Sequence, residues 1–373
     1  MFSGQPGNGV SFFLRFARKN SQTFLLGFDR AGVVGYFCGM GFRVSWLRFV
    51  AGVWLASVVC TAFAGAADLR ILLPLYSYPA WDNEQAYLWD DVAAAGARVP
   101  IVAIINPNNG PNGGPPNDDY VHGLADLRAG GVGLLGYVFT DYGKRSADAV
   151  KADVKLYDDY FNIDGIFFDE ADNTTNHLAY YEDLFAYVRT KTQLGTVILN
   201  PGIGTVEEYF SRPACDAAVI FEVNAGWSTY TPAAYVSNYP ASRFAVMPYA
   251  VPDEAGMRQA VDLAVFRNVG YVYVTDDGGD NPWDSLPTYW TQLVDYVAAW
   301  RELGCDMAVT NGVELNLRAL PGHSYRVRHK PDLVASGDWT DLAGGTATTA
   351  RVTVPDPDAP DFGSRYYKVE ILP

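Results

Sequence analysis

Three carboxylates in apolar surroundings are the residues of this chain best suited to chemistry. Asp169 and Glu170 end the run Ile166-Phe167-Phe168, and Glu222 lies inside Val219-Ile220-Phe221-Glu222-Val223. A carboxylate at the mouth of a buried strand, or within one, costs free energy unless it is solvated, paired or used. For Glu222 the plain alternative is a structural ion pair, but no Lys or Arg lies near it in sequence to supply one. Hydrolysis of a glycosidic bond needs two carboxyl groups flanking the bond. One is protonated to release the leaving oxygen, and the other is ionised as nucleophile or base. Asp169 and Glu170 on one side and Glu222 on the other meet that need. Alternation along a strand lets only one of Asp169 and Glu170 point inward, so the other turns at the strand end or supports its neighbour by raising its pKa.

Carboxylates 52 and 53 positions apart meet only if the fold carries both to one mouth. From Leu69 onward short apolar runs alternate with helical segments. The strands predicted are Ile71–Tyr76, Pro100–Asn106, Gly133–Thr140, Asp164–Asp169, Thr196–Asn200, Ala217–Val223, Arg243–Tyr249 and Gly270–Thr275. The helices predicted are Glu84–Ala97, Ala147–Tyr160, Ala179–Thr190, Ala255–Arg267 and Tyr289–Leu303. In the last of these, Tyr289, Leu293, Tyr296, Val297 and Trp300 fall on one amphipathic face. Eight such units predict an α/β fold, a (β/α)8 barrel of the TIM type, over residues 68–308. An open doubly wound sheet would need a Gly-rich phosphate loop after its first strand, where Pro74-Leu75-Tyr76-Ser77-Tyr78-Pro79 stands instead.

In such a barrel the carboxyl ends of the strands carry the site. They bring Tyr76, Asn106, Tyr137, Asn200, Asn224, Trp227, Tyr249 and Asp276 to the same mouth as the carboxylates. Asn106, Asn200 and Asn224 are suited to hydrogen-bonding sugar hydroxyls or an acetamido group. Tyr76, Tyr137, Tyr249 and Trp227 are suited to stacking on sugar rings, with core and loop packing as their plainer use. Each is weak evidence alone, because loops are polar anyway.

Beyond about Thr310 helical periodicity stops. Short alternating runs, Glu314–Arg318, Tyr325–His329, Ala350–Val354 and Tyr366–Ile371, are separated by Gly, Pro and Asp turns. They predict a small sandwich-like all-β module over 309–373, with a glycan- or surface-binding role or that of a passive spacer. At the other end, residues 41–67 have the order of a secretory signal. Arg43 and Arg48 precede the apolar run Phe49–Cys60, and Ala64-Gly65-Ala66 offers a cleavage site. Met40 is the start that would put this signal at an amino terminus, and an uncleaved anchor is the alternative. The expected location is secreted, extracellular, cell-surface or periplasmic, with no stable membrane association once the signal is removed.

The chain has 373 residues, 49% of them hydrophobic and 14% aromatic, enough to bury a large core. Six of its 27 Lys/Arg and one of its 42 Asp/Glu fall in residues 1–66, which leaves 21 positive against 41 negative residues beyond. That acidity argues against nucleic acid and anionic membranes as partners and suits a cationic substrate, or simply keeps the protein soluble. Four His and four Cys without ligand spacing argue against zinc, and no cofactor or metal is expected. Cys215 and Cys305 are the pair available for one disulfide. A monomer is expected.

Several motifs together resemble the spherulin 4 family: Pro74-Leu75-Tyr76-Ser77-Tyr78-Pro79, Ile105-Asn106-Pro107-Asn108-Asn109-Gly110-Pro111, Gly136-Tyr137-Val138-Phe139-Thr140-Asp141-Tyr142-Gly143 and Asp164-Gly165-Ile166-Phe167-Phe168-Asp169-Glu170, extended by Asn200-Pro201-Gly202 and Phe221-Glu222. The resemblance runs from about Leu69 to Trp300 and implies a (β/α)8 barrel. It further implies a glycoside hydrolase cleaving α-1,4-linked N-acetylgalactosamine in galactosaminogalactan, a partly deacetylated and therefore cationic biofilm polysaccharide. The family's essential acids correspond to Asp169, Glu170 and Glu222. The reading that results is a secreted, endo-acting hydrolase with Glu222 as general acid/base and Asp169 as nucleophile or stabilising carboxylate. Glu170 is the supporting acid, and its role is exchangeable with that of Asp169. Two other readings stand beside it: a non-catalytic glycan-binding wall or matrix protein, and a metal-dependent hydrolase using Asp169, Glu170 and Asp172.

Overall fold

The structure, a computed structural model, describes residues 10–18, 54–57, 68–83, 87–309, 313–331, 338–359 and 364–372. The chain divides into two compact units, Ala64–Arg301 and the pair of segments Met1–Phe63 with Glu302–Pro373.

The first unit is a closed barrel of eight parallel strands. These are β1 (Arg70–Leu75), β2 (Ile101–Ile105), β3 (Gly133–Phe139), β4 (Gly165–Asp169), β5 (Thr196–Leu199), β6 (Ala217–Phe221), β7 (Phe244–Val246) and β8 (Tyr271–Val272). Each strand pairs with the next, and β8 closes on β1 through Tyr271 opposite Arg70. Strands covered on both faces need continuous apolar runs, and Leu72, Ala103, Leu135, Ile166, Val197, Val219 and Phe244 are fully buried. All eight strands lie where the sequence predicts them, within a few residues at either end.

The helices around the barrel are α1 (Trp89–Gly96), α2 (Asp118–Ala129), α3 (Ala147–Tyr160), α4 (Leu178–Lys191), α5 (Glu208–Ser211), α6 (Glu254–Phe266) and α7 (Trp290–Arg301). Three begin on a side chain that accepts an otherwise unpaired backbone N–H: Asn117 from Tyr120, Ser146 from Ala149 and Asp253 from Gly256. The segment predicted over Glu84–Ala97 is helical only from Trp89, and residues 84–86 lie outside the described ones. Helix α2 was not anticipated. Gly123 and many polar residues mask its apolar face of Tyr120, Leu124 and Leu127. That glycine is required, because a Cβ there would lie 2.5 Å from the Trp89 ring. Gly136 does the same for α3: a Cβ on β3 would lie 2.6 Å from the Tyr157 ring, whose hydroxyl donates to the Ile105 carbonyl at 3.0 Å.

The second unit holds two antiparallel sheets. One orders β9 (Gly304–Val309), β10 (Val313–Arg318) and β13 (Arg351–Asp356). The other orders β12 (Thr340–Thr346), β11 (Ser324–Lys330), β14 (Ser364–Leu372) and the strands Val10–Arg18 and Trp54–Ser57. Along β10, Val313, Leu315 and Leu317 are buried and alternate with exposed Glu314, Asn316 and Arg318, as a sheet with one covered face demands. Between the two sheets the buried Arg365 pairs with Asp356 at 2.8 Å, and Tyr367 donates to the same carboxylate at 2.8 Å. The barrel was expected to run to residue 308, but Gly304–Val309 is paired along its whole length with β10. The leader predicted over residues 41–67 lies outside the described residues except for Trp54–Ser57. Cys215 and Cys305 are both buried thiols, and no disulfide joins them. Among the described residues no helix is long and apolar enough to cross a membrane.

Candidate active site

Strand β4 buries Ile166, Phe167 and Phe168 and delivers Asp169 as its last residue. Phe167 and Asp169 share the inner face of the strand, so Asp169 reaches the mouth beside Tyr137 of β3, whose ring lies 6.5 Å from that of Phe167. Strand β6 ends at Phe221, with a register shift between Val219 and Phe221 in its pairing with β7. Such a shift re-aims the next side chain, and that residue is Glu222. Its backbone N–H is held by the Gly202 carbonyl at 2.8 Å.

Asn200, at the end of β5, joins the two acids. Its amide nitrogen donates to Asp169 Oδ1 at 2.7 Å and to Glu222 Oε2 at 2.6 Å. Its oxygen accepts the Gly202 N–H at 2.9 Å, which fixes the amide's orientation. Tyr137 donates to the other oxygen of Asp169 at 2.8 Å. Tyr76 stands edge-on to Tyr137, ring centres 5.7 Å apart. Both phenols are held protonated, by burial first and then by the negative charges of the two acids.

The two acids differ in what opposes their burial. Burial raises the pKa of Asp169, but donors from Tyr137, the Glu170 backbone and Asn200 pull it back toward the ionised form. Among the described residues only Asn200 stabilises the charge of Glu222. Burial, and then repulsion from Asp169, push it up to about 7. The geometry therefore favours the proton on Glu222 over Asp169. Hydrolysis by a carboxyl pair requires such a division, one acid protonated and the other ionised.

Glu170 takes part differently. Its φ of +50° turns the chain, and its carboxylate joins neither Asn200 nor Tyr137. Its backbone carbonyl is gripped by Thr140 Oγ1 at 2.8 Å and by the Tyr142 N–H at 2.6 Å. Tyr181 supports Thr140 at 2.9 Å and accepts the Asp172 N–H. Asp141 and Tyr142 of the facing turn also have positive φ, 46° and 54°. Burial first, then the charges of Asp169 and Asp141, raise the Glu170 pKa. Asp172 is occupied by His177 at 2.6 Å and by Thr174, so it does not gather with Asp169 and Glu170.

Of the remaining predicted residues, Tyr249 lies at the mouth, edge-on to Trp283 at 5.6 Å. Asn224 is exposed on the rim of a recess of ≈ 190 Å³ shared with Val223, Tyr249 and Gln259. Three further predicted residues are engaged within the protein. Trp227 is only 6% exposed: its indole N–H is bound by the Ala260 carbonyl at 3.0 Å, and Arg267 and Tyr230 lie against its ring. It packs the β6 loop and contributes only a narrow strip to the lining of that recess. The Asp276 carboxylate accepts the backbone N–H and the hydroxyl of Thr288, so it anchors the entry to α7. Asn106 spends its side-chain oxygen on the Gly110 N–H at 3.0 Å, closing the β2 loop. The sequence reading passed over Trp283, whose carbonyl holds the Tyr76 N–H at 3.1 Å and whose ring packs on Tyr249 and Tyr273. A lone Trp in the Gly-, Asn- and Pro-rich stretch after β8 was the signal available.

Residues 70–297 match the family model described as spherulation-specific family 4. The chain is similar to spherulin-4 of Physarum polycephalum, 31% identical over 265 residues, which cover 68% of this chain and 77% of that protein. Among solved structures it is similar to Sph3 of Aspergillus clavatus in complex with GalNAc. That likeness has a TM-score of 0.53 and 28% identity, over 62% of this chain and 97% of the other. A (β/α)8 barrel with a buried acid pair at its mouth is thus joined to a family match over most of the barrel, and the chain belongs to the spherulation-specific family 4.

Proposed function

We propose that the protein is a retaining, endo-acting glycoside hydrolase of polysaccharides that contain α-1,4-linked N-acetylgalactosamine and galactosamine. One observation carries the reaction class. Asp169 Oδ1 and Glu222 Oε2 are bound to the same nitrogen, so they stand no farther apart than the two bond distances combined, about 5.3 Å. Retaining enzymes hold their carboxyl groups about 5–5.5 Å apart, while inverting ones leave about 6.5–9.5 Å for a water.

On this reading Asp169 attacks the anomeric carbon while Glu222 gives its proton to the departing glycosidic oxygen. The glycosyl ester on Asp169 is then hydrolysed by a water that Glu222, now ionised, deprotonates. Asn200 holds both acids at working distance through both steps, and Tyr137 steadies the Asp169 carboxylate when it is released. Glu170 is the supporting acid at the rim. The substrate class is supported by the family and by the likeness to a protein crystallised with GalNAc. The excess of Asp and Glu suits a partly deacetylated, cationic chain. Secretion, by the leader in residues 41–67, and action as a monomer belong to the same proposal.

The test is reducing-end release from a partly deacetylated α-1,4-galactosamine polymer by the wild type and by Glu222→Gln. The expected result is release by the wild type and a loss of about 10³-fold or more in the variant, whose fold is retained. No release by a folded wild type, or equal release by both, would remove the proposed activity.

A further inference from the structure

Seven large hydrophobic residues are exposed among the described ones, and two of them share the loop after β1, outside the catalytic centre: Tyr78 and Trp81, at 49% and 45%. Tyr78 and Trp81 pack on neighbouring residues of one helix, Tyr120 and His122, and exposed apolar groups that cluster mark a contact surface more often than scattered ones do. Both rings are held in place. Trp81 lies flat against His122, ring centres 4.6 Å apart and planes 19° from parallel. Behind His122 stands Asp126, within 3.3 Å of its Nε2, and Tyr87 donates to the same carboxylate. Tyr78 packs edge-on to Tyr120 at 5.6 Å. Its hydroxyl donates to Asp119 and accepts from Asn117 at 2.7 Å. The indole thus presents one backed face and one face toward water, with its orientation already set. A ring fixed in this way loses little entropy when a ligand lands on it.

Charge narrows the ligand. Asp82 and Asp119 are the carboxylates that act on the Tyr78 phenol, and Asp82 is exposed beside Trp81. An aromatic plate edged by carboxylates suits a ligand with an apolar face and a cationic or hydroxyl-bearing edge, and an indole is the strongest side-chain partner for a cation. Position narrows it further. Tyr78 and Trp81 lie on the loop that follows β1, the loop that also supplies Tyr76 to the catalytic mouth. Five residues of chain span at most about 18 Å. A polysaccharide held at Asp169 and Glu222 needs only a few further sugars to reach the plate.

We propose that Trp81, backed by His122 and flanked by Tyr78, is a second glycan-binding platform that holds an aminosugar of a long chain outside the catalytic centre. The ligand class rests on the function proposed above. The experiment separates the two by measuring binding without turnover. The full chain carrying Glu222→Gln is run by affinity electrophoresis through gels containing the partly deacetylated α-1,4-galactosamine polymer. Alongside it run the same protein with Trp81→Ala, Trp81→Phe, His122→Ala or Tyr160→Ala added, each checked for fold by thermal melting. Tyr160 is a control, an exposed ring at the end of α3. The expected result is a dissociation constant raised five- to tenfold by Trp81→Ala and less by His122→Ala. Trp81→Phe restores part of the binding, and Tyr160→Ala changes nothing. Unchanged binding in Trp81→Ala, an equal loss in Tyr160→Ala, or no retention of the Glu222→Gln protein would overturn the platform. Reducing-end release by the wild type, read in parallel, reports on the hydrolase alone. Release with Trp81-independent binding removes only the platform, and Trp81-dependent binding without release removes only the hydrolase.

Discussion

Asp169 and Glu222 accept hydrogen bonds from one and the same nitrogen, Nδ2 of Asn200, at 2.7 Å and 2.6 Å. The shared donor places the two acids and also favours the ionised form of each. It lowers the pKa of each, against burial that raises both. Asn200→Ala should therefore shift the entire pH profile. Asp169 must be ionised and Glu222 protonated. Loss of the donor raises both pKa values, so the acid and the basic limbs of kcat/KM both move to higher pH. A hydrogen bond to a charged group contributes about 1.5–3 kcal/mol, so the maximum should fall about 10²-fold. Reduced activity with unmoved limbs would show that Asn200 acts only as a spacer.

Glu222 itself gives a second pH signature, this time in stability. Its pKa rises from an ordinary 4.5 to about 7 in the folded protein. A raised carboxyl pKa means that the folded state binds the proton more tightly than the unfolded chain. Its contribution is complete below about pH 4.5 and is lost as pH rises through about 7. Glu222→Gln carries no charge at any pH. Its stability advantage over the wild type should be absent in acid, grow through this window and level off at about 3 kcal/mol. Denaturant melts of both proteins at pH 4, 6 and 8 check this. The basic limb of kcat/KM should fall near the same pH of about 7.

How much of this was legible in the sequence depended on whether a residue's partner was local. Each barrel strand is a short apolar run that ends in polar residues, so the eight strands could be read directly. Asp169 and Glu222 stood out because a carboxylate against such a run is costly. The part played by Asn200 could not be read. Period two assigns a side chain to a face, but the meeting of β4, β5 and β6 at one nitrogen depends on register between strands. The internal bonds of Asp276 and Trp227 were hidden for the same reason. Their partners, Thr288 and Ala260, lie 12 and 33 positions away, and nothing near either residue announces them. Helix α2 was hidden by Gly123, a residue that opposes helix locally and is needed only because Trp89 of α1 lies against it.

The turn opposite Glu170 offers a test of backbone positioning. Gly143 has φ +81°, and a Cβ there would lie 2.5 Å from Cγ of His177. The same turn carries Tyr142, whose N–H holds the Glu170 carbonyl. Gly143→Ala meets both a left-handed backbone and a packed ring, for a cost of about 1–3 kcal/mol. The expected outcome is a lower melting temperature together with a fall in kcat larger than the change in KM, because Glu170 is displaced while the Asn200 bridge remains. A variant with wild-type kcat and only a lowered melting temperature would detach this turn from the active site.

Trp227 separates a packing role from a binding one. Its ring is enclosed by Phe221, Tyr230 and Arg267, and its N–H is bound by Ala260. Truncating a buried aromatic costs about 3–5 kcal/mol, so Trp227→Ala should melt about 10 °C or more below the wild type. Phe221 directly precedes Glu222, so the cavity left behind loosens the β6 end and lowers kcat as well. Trp227→Phe, which keeps most of the ring's contacts, should restore both melting temperature and kcat to near wild type, and polymer KM should stay unchanged in it. A sugar-stacking Trp would behave differently, with a raised KM in both variants and little loss of stability. Melting curves and polymer kinetics on the two variants decide between these patterns.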